Sequence, residues 1–195
     1  MNALDYPFWL ASRAAGVVAY VLLSLSVAGG LVMAMRLAPV ALRTALRQAH
    51  ERIALLALAF VAAHGLLLLG DTYLKASLTD VLVPFQLDYR PLATSLGILA
   101  GYGTAALALT FYVRKRLGSK RWRKAHRFIP VFWAMAAVHV LGAGTDAWSL
   151  WLMLPTFVTI AAGLWLLAER WIRPRSGPPA SKRRTPAPER ERVAA

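Results

Sequence analysis

The chain has 195 residues, 58% of them hydrophobic, with a mean hydropathy of +0.50, no cysteine and a formal net charge of +14. Phosphate neutralisation by a nucleic-acid-binding module would account for the charge, but such a module does not carry several apolar runs of about twenty residues, so charge and hydropathy must be segregated along the chain. The lack of cysteine excludes disulfide scaffolds, zinc ribbons, thiolate-held iron–sulfur centres and cysteine nucleophiles, leaving His, carboxylate, Met and Tyr as metal or cofactor ligands.

Five runs are long and apolar enough to cross a bilayer as helices, at about 9–35, 49–70, 92–113, 125–144 and 148–168. The expected fold is therefore all-α, a polytopic membrane bundle of five helices within residues 1–172. The first run is not expected to be a cleaved signal peptide, because Asp5 rather than Arg or Lys precedes it and the apolar stretch is too long. The fourth is the least apolar, and the turn Ala143-Gly144-Thr145-Asp146 separates it from the fifth. Residues 173–195, rich in Pro and Arg, cannot bury enough surface to fold and read as a disordered basic tail.

The loops account for the charge. Arg36, Arg43, Arg47 and Arg52 lie between the first and second helices, and eight basic residues with no acid lie between Arg114 and Arg127. The loop from Asp71 to Pro91 instead holds three Asp against Lys75 and Arg90. Twenty of the 23 basic residues fall on one side of the five-helix topology. The positive-inside rule then places the N-terminus outside and the C-terminus inside a cytoplasmic membrane. This topology signal accounts for the basic charge with no nucleic-acid partner.

All four histidines lie in the second and fourth helices. His50 and His64 are 14 residues apart, and His126 and His139 are 13 apart, a rise of about 20 Å in each helix at 1.5 Å per residue. The two helices have one span between them and run parallel, so His50 is level with His126 on the cytoplasmic side and His64 with His139 toward the outside. An ionisable residue within a membrane is costly and marks a functional site by default. Imidazole is a preferred ligand for iron, copper and zinc, and facing imidazoles at one depth suit the axial positions of a planar heme. Two levels suit two hemes stacked along the membrane normal. Zinc or di-iron sites and proton relays are disfavoured, because no carboxylate lies at the depth of His64 and His139. His50 and His126, in basic interfacial sequence, also admit a simpler reading as headgroup-facing residues.

A 13-residue step in a regular helix leaves side chains about 140° apart, so His126 and His139 cannot both face the second helix unless the fourth is distorted. Pro130 cannot donate to the carbonyl of His126 and so provides the break. Arg13, the only charge within the first helix, is level with the outer heme and would meet its propionate or snorkel to the headgroups. Tyr89 and Arg90 are further outer candidates.

Together these residues resemble the ferric reductase-like transmembrane domain shared by ferric reductases, NADPH oxidases and the heme-binding subunit of a bacterial methionine sulfoxide reductase system. The carriers are the 14- and 13-residue histidine spacings and Ser12-Arg13-Ala14-Ala15-Gly16, with the resemblance covering about residues 8–172. Trp122-Arg123-Lys124-Ala125-His126-Arg127 and the run from His139 to Asp146 are similar to the stand-alone, actinobacterial-type branch. The resemblance implies two b-type hemes, held by His50 with His126 and by His64 with His139, with Arg13 near the outer one. It further implies an electron-transfer subunit of an oxidoreductase. Electrons are expected from a separate flavoprotein reductase or a quinol, with any flavin supplied by that partner or bound at the periphery, and an acceptor on the outer side. A heme-free membrane scaffold or assembly factor retaining the fold stays open as the alternative, and a metal-ion transporter is disfavoured by the lack of intramembrane carboxylates.

Overall fold

The computed structural model describes residues 7–145 and 147–172, so Asp146 and the expected tail lie outside the described residues. Eight α-helices follow in order: α1 (Pro7–Ala34), α2 (Arg43–Leu68), α3 (Leu78–Leu82), α4 (Pro91–Leu109), α5 (Arg114–Leu117), α6 (Ser119–His126), α7 (Ile129–Ala143) and α8 (Leu150–Ile172). No strand occurs among the described residues. Five segments have the length and apolarity to span a membrane: Pro7–Ala34, Val40–Leu68, Pro91–Leu109, Ser119–Ala143 and Leu150–Glu169. Helices suit these apolar runs because hydrocarbon offers no partner to backbone polar groups, which must be satisfied within the segment.

The helix ends refine the expected spans. Helix α2 begins at Arg43, after a 3-10 turn at Val40–Leu42, because its first turns carry arginines that form helix well but lower the hydropathy. Helix α8 extends to Ile172 for a similar reason, its last turns leaving the apolar run at Glu169. The third span stops at Leu109 rather than Val113. There the Thr110 hydroxyl donates to the Leu107 carbonyl at 2.9 Å, and the backbone tightens to i→i+3 bonds from Phe111 to Val113. The fourth span is two helices. α6 ends at His126, Arg127 and Phe128 form a turn, and α7 starts at Ile129 with Pro130 in its first turn. The distortion that the 13-residue spacing requires lies where Pro130 puts it.

Two antiparallel pairs, α1 with α2 and α4 with α7, form the bundle, joined along α1–α7 and α2–α4, and α8 packs on α1 and α7. Helices α2 and α7 therefore stand on a diagonal, and their histidines face each other across its centre. Between the two histidine levels the bundle is filled by a core of Tyr20, Leu23, Val27, Ala57, Trp133 and Ala137. Trp133 donates to Ser24 Oγ at 3.0 Å, which in turn donates to the Tyr20 carbonyl at 2.8 Å. Tyr20 Oη lies 3.1 Å from Thr159 Oγ1 and ties α8 to the same network. Gly163 of α8 lies against the Trp133 indole, where a Cβ would collide with the ring. The bundle's outer surface carries exposed apolar residues such as Leu25, Leu56, Leu66, Leu154 and Phe157, which suits a lipid-facing surface.

The segment between α2 and α4 is tied over one end of the bundle. Asp71, 4% exposed, accepts from the backbone of Tyr73 and Leu74. Ser77 and Asp80 form a capping box at the start of α3, and bonds from the Ser77 N–H and hydroxyl hold the Asp80 carboxyl below its ordinary pKa. The Tyr102 hydroxyl donates to the Leu82 carbonyl, and the Phe85 N–H donates to Ser95 Oγ at 2.7 Å. Trp133→Ala should destabilise the folded bundle by about 3–5 kcal/mol, read as a lower unfolding midpoint in mixed micelles. Trp133→Phe should cost less, since it keeps part of the ring while losing the bond to Ser24 and the indole's contact with Gly163.

Candidate functional site

The structure brings the four histidines together in two pairs. The ring centroids of His50 and His126 are 6.4 Å apart with planes at 86°, and those of His64 and His139 are 6.1 Å apart at 69°. Two imidazoles bound on opposite sides of one metal at about 2.0–2.1 Å per bond would place their centroids about 6–6.5 Å apart. Among the described residues no three of His, Asp or Glu gather into a group that would hold a metal ion. Each pair would supply two imidazole ligands, so the described residues alone do not complete a coordination shell.

The tautomer follows from the hydrogen bonds. His64 Nδ1 lies 2.8 Å from the Ser12 carbonyl, His50 Nδ1 2.9 Å from the Ser26 carbonyl and His139 Nδ1 2.9 Å from the Ala93 carbonyl. A carbonyl only accepts, so in each ring Nδ1 carries the proton and donates, leaving Nε2 with its lone pair available. These acceptors also fix the orientation of the rings.

Each of the three carbonyls already belongs to a helix, where it accepts from the N–H four residues on, and its second lone pair takes the imidazole. Four residues on stands a glycine each time: Gly16 after Ser12, Gly30 after Ser26 and Gly97 after Ala93. A Cβ at Gly97 would come 2.5 Å from His139 Nδ1, one at Gly16 2.9 Å from His64 Nδ1, and one at Gly30 3.3 Å from His50 Cε1. The glycines leave the face on which the imidazole lies. The sequence alone does not set these glycines apart, because small residues also mark ordinary close packing of membrane helices.

The fourth ring is held differently. His126 Nδ1 is buried without a hydrogen-bond partner. The position matching the glycine, 14 residues after Gly97, is Phe111, which lies beyond the end of α4. Trp122 stacks on His126 with centroids 4.9 Å apart and planes at 27°, and Phe111 packs on Trp122 at 5.6 Å. Tyr112 donates to Glu51, next to His50, at 2.9 Å, and that bond raises the phenol's pKa. Trp122 is not among the expected site residues, although its place four residues before His126 on one helix carries the signal.

Arg13 is not drawn into either pair. Its guanidinium lies 5.0 Å from the Trp9 ring and 5.8 Å from the Trp151 ring, in a groove between α1 and α8. Arg90 Nη1 donates to the Gly142 carbonyl at 2.6 Å and the Tyr89 hydroxyl to the Ala143 carbonyl at 3.1 Å. Both satisfy carbonyls at the end of α7 that the helix leaves unpaired.

Fold and site together define a multi-pass membrane protein that holds two levels of paired histidines, three of the four anchored to helix carbonyls. The family model for the ferric reductase like transmembrane component matches residues 15–137, more than half of the chain, and the protein belongs to that family. Membership makes it a membrane component for electron transfer. No curated protein and no solved structure matches the chain. Substituting Ala for the three glycines should destabilise the bundle in the order Gly97, Gly16, Gly30, with about 1–3 kcal/mol for the tightest, measured as unfolding midpoints in detergent. Equal effects at all three would contradict the close approach of the rings.

Proposed function

We propose that the chain is a membrane b-type cytochrome, a bis-histidine diheme subunit that carries electrons across the cytoplasmic membrane for a reductase. The observation that carries this reading is the pair of ring separations, 6.4 and 6.1 Å, which suit two imidazoles on one heme iron at each level. When bound, heme b supplies a one-electron iron couple in a low-dielectric surround. His64 and His139 serve the outer heme, and His50 and His126 the inner. Three of the four donate Nδ1–H to a helix carbonyl, keeping Nε2 deprotonated and aligned. The Ala57 and Trp133 layer between the levels is 2% and 3% exposed and excludes water from the bundle centre. Arg13, next to the Ser12 that holds His64, is the cation at the outer level and the proposed partner of a propionate.

On the cytoplasmic side, α5 and α6 carry Arg114, Lys115, Arg116, Lys120, Arg121, Arg123 and Lys124 with no acid. This surface favours an electron donor with negative charge, a flavoprotein reductase bearing acidic groups or flavin phosphate; a quinol reaching the inner level from the bilayer is the other source. The acceptor then meets the opposite face, outside.

Purified protein from heme-replete cells should give a reduced-minus-oxidised b-type spectrum with about two hemes per chain, in line with two histidine pairs. His64→Ala or His139→Ala should remove one heme, and His50→Ala or His126→Ala the other. A colourless wild-type preparation would overturn the cytochrome reading and favour a heme-free scaffold. The topology is separately testable because the chain has no cysteine. A membrane-impermeant maleimide should label Thr72→Cys in intact cells and Lys120→Cys only after permeabilisation, and the reverse pattern would invert the orientation.

A further inference from the structure

We propose that Ser12 and Ser26 are positioning residues, each setting the reduction potential of one heme through the α2 histidine that it contacts. The inference rests on the two-heme reading. Helix α1 carries the pattern Ser-x-x-x-Gly twice, at 12–16 and 26–30, offset by the same 14 residues that separate His50 from His64. Because α1 and α2 are antiparallel, the two copies meet the two histidines in one register, Ser12 with His64 and Ser26 with His50. Ser12 Oγ is 3.0 Å from His64 Nδ1, and Ser26 Oγ is 3.1 Å from His50 Nδ1. The two serines are 1% and 5% exposed.

Each Nδ1–H therefore faces two acceptors of the same residue, its carbonyl and its hydroxyl oxygen. For Ser12 the roles are settled by its hydroxyl proton, which is donated to the His64 carbonyl at 2.8 Å, leaving the Oγ lone pairs for Nδ1–H. A second acceptor makes the imidazole a stronger donor to the metal and so favours ferric over ferrous iron. The other half of each site has no such hydroxyl contact: His139 meets the Ala93 carbonyl, and His126 Nδ1 has no partner. Hydroxyl contact with a histidine Nδ1 is thus confined to α1, one serine per level.

The test is redox titration of the purified full chain. His126→Ala serves as a background that keeps only the outer heme, and His139→Ala as one that keeps only the inner. Ser12→Ala should shift the outer heme toward reduction by roughly 3–10-fold in its equilibrium constant, about 30–60 mV for a one-electron couple, and leave the inner heme unmoved. Ser26→Ala should do the converse. Ser12→Thr and Ser26→Thr retain the hydroxyl and should titrate as the unsubstituted serine does. Loss of only the cognate heme in an Ala variant, with retention in the Thr variant, would also support the assignment. Unshifted potentials with both hemes bound, equal shifts of both hemes, loss of both hemes, or Thr variants that behave like Ala would overturn it. Failure of the unsubstituted protein to bind b-type heme would instead sink the underlying reading, and it is measured before any serine variant is made.

Discussion

The rest of the bundle depends on how an imidazole is held inside a membrane. Nδ1–H has no water to bond there, and an unsatisfied buried donor is costly. The acceptor available is a helix carbonyl whose second lone pair is free, and reaching it requires the ring to lie against the neighbouring helix backbone. That contact favours a glycine four residues after the carbonyl, most strictly at Gly97 and Gly16 and least at Gly30. It also sets the distance between the paired helices α1–α2 and α4–α7, which is why these are the most intimately packed pairs in the fold.

The two levels are built unequally. At the His64–His139 level both rings are anchored to carbonyls, and both lie over glycines. At the His50–His126 level only His50 has that anchor. The cause is local: α4 ends at Leu109, so no regular helix continues to supply a carbonyl-and-glycine pair for His126, and Trp122 stacks on it instead. The same end of the bundle carries the basic helices α5 and α6. An aromatic, charged boundary thus replaces the backbone-lined socket found deeper in the molecule.

Much of this was legible in the chain. Hydropathy located five spans because hydrocarbon thickness imposes a minimum apolar length. Histidine spacing predicted two levels because helical rise is constant, and the awkward 13-residue step correctly located a break at Pro130. Helix ends were less legible. The arginine-rich start of α2 and the Thr110 turn after α4 depend on backbone bonds that hydropathy does not register. Arg13 was legible as a charge near the level of His64 and His139, but its seat against Trp9 and Trp151 depends on how α8 packs beside α1.

By itself the sequence determined class, number of spans and depth of each histidine, since these follow from composition and from the fixed rise of a helix. Only the tertiary structure decided what each histidine touches. The repeat of Ser12 and Gly16 at Ser26 and Gly30 is visible in the chain, yet it acquires meaning only when α1 and α2 pack antiparallel in the register that sets each serine beside an imidazole. That register is a property of two packed surfaces rather than of either helix. Trp122 stacks on His126 by helical spacing, four residues before it on α6, but meets Phe111 only once α6 packs beside the end of α4.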